Sequence, residues 1–131
     1  MTVVMTHGVF DVLHPGHLHH LRSSKAMGDV LVVSVTSDRF VGKGDGRPKF
    51  NVKERMAMLR EFRCVDHVLE SDAPTPDAVL RHIRPHIYTK GPEYVGKWIM
   101  EDALARELDF RIVFTDWKVY STTELLKCEF A

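Results

Sequence analysis

Two spacings of apolar residues alternate along the chain. Short runs rich in β-branched residues, at positions 3–6, 30–36, 65–69, 86–88 and 111–114, are bounded by polar or turn residues and predict five strands. The stretches between them carry helical periodicity, over 15–27, 52–62, 76–83 and about 97–108, and a last helix is expected to open at Ser121. Cap chemistry supports several of these starts. Asn51 stands before a run with Met56, Leu59 and Phe62 on one side, Thr75 precedes an N1 proline at Pro76, and Ser121-Thr122-Thr123-Glu124 reads as a capping box. In the first helix Leu18 and Leu21 mark the stripe expected to be buried, which leaves His19 and His20 for solvent or an interface. Strands alternating with helices in this way build a parallel sheet covered on both faces, through right-handed crossovers. Positions 37–50, rich in Gly, Lys and Asp, lack periodicity, and a loop of that length in a small domain is usually functional or mobile.

Composition narrows the class. The 131 residues suit one compact domain, 1–131, without linker or repeat, and 44% hydrophobic with 27% charged residues is the balance of an ordinary globular protein. Lys plus Arg and Asp plus Glu number 18 each, so there is neither a basic field for nucleic acid nor a polybasic stretch for an anionic membrane. Any anion site has to be local. Cys64 and Cys128 show no paired or metal-type spacing, which fits two structural thiols in a reducing compartment. The amino terminus runs into Thr2-Val3-Val4-Met5-Thr6 without a basic flank, a long apolar run or a cleavage site, so a cytoplasmic location is expected.

The candidate chemistry concentrates where the first strand gives way to the first helix, in Gly8-Val9-Phe10-Asp11-Val12-Leu13-His14-Pro15-Gly16-His17. A helix N-terminus presents backbone N–H groups and the positive end of a dipole, and so attracts phosphate before any side chain is counted. Pro15 suits the first helical position, Gly16 lets a ligand approach the backbone, and His14 and His17, three apart, share one helical face. In transfer of a nucleotidyl group the attacking group is already an ionised phosphate. The protein's task is then alignment, and neutralisation of charge growing on the α-phosphoryl and pyrophosphate oxygens, which imidazole donors at a helix end suit. His14, His17, His19 and His20 also look like a zinc cluster. A helix cannot turn all four rings to one point, and no Cys or carboxylate stands at supporting spacing, so no metal-ligating set is assigned.

With these motifs the sequence resembles the cytidylyltransferase-like nucleotidyltransferases, whose signature is H-x-G-H after a G-x-F-D turn. Gly8-Val9-Phe10-Asp11 and His14-Pro15-Gly16-His17 stand in register with Gly28-Asp29, Ser37-Asp38, Arg55, Val65-Asp66 and Ser121-Thr122-Thr123, so the likeness spans nearly the whole chain. It implies a Rossmann-like three-layer α/β/α fold with a five-stranded parallel sheet, a site at the carboxyl ends of the strands, Mg²⁺ with ATP or CTP, and a homodimer. By position it implies that His14 and His17 bind the triphosphate and stabilise the transition state. Lys43, with Arg47 and Lys49, would close over the phosphates and Arg55 would contact them. Gly8, Val9, Phe10 and Gly16 would line the nucleotide, Asp11 would orient the acceptor or the turn, and Asp66 would either touch the nucleotide or begin a strand. Lys90-Gly91-Pro92-Glu93-Tyr94 is similar to the family's base-binding region, and Ser121 and Thr122 would add donors at a second helix end.

The acceptor follows from a departure. Relatives that use glycerol 3-phosphate and CTP place Arg-Thr-x-Gly-Ile before Ser-Thr-Thr, whereas this chain has Asp116-Trp117-Lys118-Val119-Tyr120. A bidentate phosphate contact and a glycine's close approach are both missing. Lys90-Gly91 with Pro-Glu-Tyr, and Thr75-Pro76, look more like the domain that attaches a nucleotide to heptose 1-phosphate or related sugar phosphates. A sugar phosphate is therefore the favoured acceptor. A polyol-phosphate cytidylyltransferase, the flavin or pantetheine phosphate branch, and a non-catalytic nucleotide-binding regulatory domain are the alternatives.

Overall fold

The computed structural model describes residues 1–42, 44, 46–97 and 99–116. Its elements run β1 (Val3–Gly8), α1 (Pro15–Lys25), β2 (Val30–Thr36), α2 (Val52–Arg60), β3 (His67–Ser71), α3 (Asp77–Ile83), β4 (Ile87–Lys90), α4 (Glu101–Leu108) and β5 (Arg111–Phe114), with short 3₁₀ turns at Asp38–Phe40 and Pro92–Tyr94. The strands form one sheet in the order β3-β2-β1-β4-β5, every neighbouring pair parallel. This is a Rossmann-like α/β fold, as the alternation of strand and helix patterns predicts. The last expected helix, at Ser121, lies outside the described residues.

Each layer follows from local chemistry. β2, Val-Leu-Val-Val-Ser-Val-Thr, is buried along nearly its whole length, the signature of a parallel strand covered on both faces. One apolar cluster joins Leu21 of α1 and Val52 and Leu59 of α2 to Val4, Leu31, Val33 and Val35 of the sheet. A second joins Leu80 of α3 and Leu104 of α4 to Met5, Tyr88 and Phe110. Consecutive residues Val4 and Met5 thus feed opposite cores, as the period of a strand requires. α2 is closed by a reciprocal cap in which Asn51 Oδ1 accepts from Glu54 N at 2.9 Å and Glu54 Oε1 accepts from Asn51 N at 3.1 Å.

Several boundaries differ from the sequence expectation, for physical reasons. β3 pairs from His67 rather than 65, because Val65 N closes a turn onto Phe62 O, while Asp66 N already reaches across to Leu31 O of β2. α3 starts at Asp77 with Pro76 as its N-cap and no side-chain cap, so Thr75 does not serve. α4 starts at Glu101 rather than about 97, and just before it Asp102 Oδ2 accepts from Ile99 N at 2.9 Å.

The largest correction lies on α1. Leu18 is 38% exposed while His20 is buried at 7%, together with Gly16, Leu21 and Ser24. The sheet beneath that part of the helix carries the threonines Thr6 and Thr89, so the matching helical stripe is polar and the Leu18–Leu21 spacing misidentifies it.

β1 sits at the centre of the sheet, with the chain stepping first to β2 on one side and later to β4 on the other. Loops leaving β1 and β4 therefore diverge to opposite faces and open a crevice at their carboxyl ends, the usual ligand position in open α/β sheets.

Candidate active site

The crevice is entered through the β1–α1 turn. Phe10 takes a left-handed φ of 51°, costly for a bulky residue, and this folds its ring back over Gly8 into the core at 7% exposure. A Cβ on Gly8 would meet the Phe10 ring at 2.9 Å, which explains a glycine there. The other side of the ring approaches His17, with centroids 5.7 Å apart.

His14 is the N-cap of α1, and its imidazole does what a serine or aspartate usually does. Gly16 N donates to His14 Nδ1 at 3.0 Å, and His14 N donates to His17 Nδ1 at 3.2 Å, a capping box built from two histidines. A nitrogen that accepts carries no proton. Both neutral rings therefore hold theirs on Nε2, and the two rings stand with centroids 3.9 Å apart. The first-turn amides of Gly16 and His17 are themselves spent, on His14 Nδ1 and His14 O. Donor capacity at this helix end has passed from backbone to imidazole.

Behind His17 opens a cavity of about 300 Å³, bordered by Gly8, Val9, Phe10 and His17 on one side and by Lys90, Gly91, Glu93 and Tyr94 on the other. The structure thus brings the β1 turn and the segment after β4 to one space. Lys90 Nζ lies 3.6 Å from Glu101 Oε1 and 4.2 Å above the Tyr94 ring. Glu101 also accepts from the Tyr88 hydroxyl at 3.2 Å, and burial with this carboxylate beside it pushes the Tyr88 phenol well above its usual range. At Gly91 the Glu93 carboxylate folds back so closely that a Cβ there would have to displace that flexible side chain.

Two further imidazoles border the cavity, one on each face of β1. His7 Nδ1 pairs with Ser34 Oγ at 2.6 Å and its Nε2 with Thr36 Oγ1 at 3.3 Å, and burial, with Lys90 nearby, lowers its pKa to about 4. His20 pairs with Thr6 and Thr115, and burial lowers its pKa to about 4 as well. Sequence reading assigned neither. The available signals were the place of His7 at the end of a strand before a glycine turn and the i, i+3 spacing of His20 from His17.

Other expected site residues lie away from this cavity. Asp11 is buried and accepts from Lys49 N at 2.7 Å, Phe50 N at 2.9 Å and Arg47 Nε at 2.6 Å. Burial would raise its pKa, but the two amides and the guanidinium outweigh that and hold it at about 2. Asp11 therefore rivets the loop after β2 onto the β1 turn and occupies Arg47 in doing so. Arg55 is a correction of the same kind. Its side chain is fully buried and donates to Phe50 O at 2.9 Å, to Val9 O and Thr36 O at 2.8 Å each, and to Asp38 at 2.7 Å, so it ties both ends of the loop after β2 to the β1 turn and does not face the cavity. Asp66 is at the opposite end of the sheet, pairing with Lys25 Nζ at 2.7 Å and Leu31 N at 2.8 Å, a strand-start role. Lys43, Ser121 and Thr122 lie outside the described residues.

The fold, the two-histidine cap and the crevice agree with the family to which the chain belongs, the cytidylyltransferase-like family, whose model matches residues 5–127. Among curated relatives it is 41% identical over 127 residues to the bifunctional protein HldE of Campylobacter fetus, covering 95% of this chain and 27% of that protein. It is 43% identical over 108 residues to the bifunctional protein HldE of Streptomyces coelicolor, covering 81% and 23%. The chain thus spans about a quarter of the length of these relatives. Among solved structures it is similar to a lipopolysaccharide core biosynthesis protein from Thermoplasma volcanium, with a TM-score of 0.73, 31% identity and coverage of 92% and 99%. The fold also matches pantothenate synthetase from Thermus thermophilus at a TM-score of 0.61 and 17% identity, over 88% of this chain and 56% of that one. No helix among the described residues is long and apolar enough to cross a membrane.

Proposed function

We propose that this protein transfers the nucleotidyl group of ATP or CTP to a sugar phosphate and releases pyrophosphate. The observation that carries this is the imidazole capping box, which sets two Nε2–H donors side by side at the dipole-positive end of α1. An oxygen of the acceptor phosphate attacks the α-phosphorus, and the bond to the bridging oxygen breaks as pyrophosphate leaves with that electron pair. His14 and His17 meet the charge growing on the departing oxygens, while Lys90, Gly91, Glu93 and Tyr94 hold the nucleoside end. Similarity to sugar-pathway relatives and the missing Arg-Thr-x-Gly ahead of Ser121 support the sugar phosphate over a polyol phosphate.

Among the described residues lining the cavity Glu93 is the one carboxylate, and no cluster of three metal ligands occurs. That donor set suits phosphate oxygens. Mg²⁺ would be carried in on the triphosphate, where it neutralises charge and leaves alignment to the imidazoles and Lys90. The reading includes a cytoplasmic homodimer, supported by exposed Val12, Phe50 and Met58 around an apolar groove; sedimentation giving only monomer at micromolar concentration would remove the dimer.

Four nucleoside triphosphates assayed against sugar 1-phosphates and glycerol 3-phosphate, read by pyrophosphate release, test the function. A sugar 1-phosphate is expected to be the fastest acceptor. Faster turnover of glycerol 3-phosphate would move the assignment to the polyol-phosphate branch, and triphosphate binding without pyrophosphate release would make this a nucleotide-binding regulatory domain.

A further inference from the structure

One turn below His17, α1 directs a second imidazole into a polar seam with the sheet. His20 Nδ1 pairs with the Thr115 hydroxyl at 2.5 Å, and the Lys90 carbonyl lies 3.5 Å from the same oxygen. On the other side of the ring Nε2 pairs with Thr6 Oγ1 at 2.8 Å, and Thr6 Oγ1 also reaches Thr89 O at 3.2 Å. Ser24, a turn further on, donates to His20 O at 2.8 Å and accepts from Thr89 Oγ1 at 2.7 Å. These bonds join α1 to β1, to β4 and to the exit of β5. Burial keeps the His20 ring neutral; Glu93 opposes that effect, and His19 and Lys90 reinforce it.

We propose that His20 is a positioning residue: through Thr6, Thr89 and Thr115 it fixes the height and rotation of α1, and so holds the end of that helix that carries His14 and His17 beside the cavity that Lys90 and Gly91 border. An apolar residue would fill the same volume yet let the helix slide, because apolar contacts have no preferred direction, whereas a directed hydrogen-bond chain has one register. Transfer is sensitive to such slippage, since misplacement by about 1 Å can cost up to about 10²-fold in rate. The inference rests on the function proposed above.

Three variants of the full chain test it. His20→Phe keeps a ring and removes both bonds, Thr115→Val removes one, and His20→Gln retains a donor and an acceptor. Two readouts are needed: kcat and KM with the fastest triphosphate and acceptor of the panel, and the imidazole ¹⁵N resonances of His14 and His17 without substrate. His20→Phe and Thr115→Val are expected to shift those resonances and to lower kcat by about tenfold, with KM for the triphosphate within about threefold, and His20→Gln to restore most of both. Wild-type kcat and unmoved His14 and His17 signals in His20→Phe and Thr115→Val would overturn the proposal, and if His20→Phe fails to fold, Thr115→Val decides alone. A wild-type chain that turns over no substrate pair counts against the proposed function only, because the ring signals still report on His20.

Discussion

Four imidazoles stand in or beside one crevice and fall into two pairs with opposite uses. In His14 and His17 the Nδ1 atoms accept from backbone N–H groups at the end of α1, beside the crevice. In His7 and His20 the ring nitrogens are engaged by hydroxyls of the sheet, and burial lowers both pKa values to about 4. Residue type does not separate the pairs. Position does: a histidine at a helix end finds backbone amides, whereas one over a parallel sheet finds hydroxyls and little water. The first pair can act on a ligand, and the second organises the walls around it.

The sharpest way to break this comparison is to truncate the first pair. His14→Ala and His17→Ala should each lower kcat by about 10²–10³-fold, as loss of an oxyanion donor does, with a smaller change in triphosphate binding. Asparagine at either position should recover part of the rate through its amide donor. Wild-type kcat in a folded His17→Ala chain would end the assignment.

The second pair should appear in the dependence of stability on pH. In the fold His7 and His20 stay neutral down to about pH 4, while in the unfolded chain they take up protons below about 6.5. The unfolded state therefore binds more protons in that window, so stability rises with pH across it and is lost as pH falls from 6.5 toward 4. Each histidine should contribute on the order of 1–2 kcal/mol between pH 7.5 and 5. Asp11, lowered from 3.8 to about 2, begins to add slope only as pH nears 4, so between 7.5 and 5 the two histidines dominate over it. Urea titrations of His7→Phe and His20→Phe that keep the full wild-type slope would show these rings to be solvated.

The smallest effect separates cap from catalysis within the first pair. Loss of the His14 cap should cost about 1 kcal/mol of stability in His14→Ala and much less in His14→Asn, a good N-cap residue. If His14→Ala melts like the wild type, the ring's hold on Gly16 N is incidental.

The alternation of strand-like and helical runs determined the fold class, because a parallel sheet covered on both faces leaves that pattern in any sequence that builds it. The turn from Gly8 to His17 was legible too: glycine, N1 proline and the i, i+3 histidines are local signals that need no distant partner to have meaning. Arg55, Asp11, Asp66 and His20 were not legible in that way. Each acquires its role from groups far along the chain, Arg55 from Val9 and Thr36, Asp11 from Lys49 and Phe50, Asp66 from Lys25, and His20 from Thr6 and Thr115. A charged or polar side chain carries the same chemistry whether it meets a ligand, a backbone carbonyl or a buried hydroxyl. Which of these it meets was decided by the tertiary structure, because only the folded chain brings those partners within hydrogen-bonding distance and removes the water that would otherwise compete.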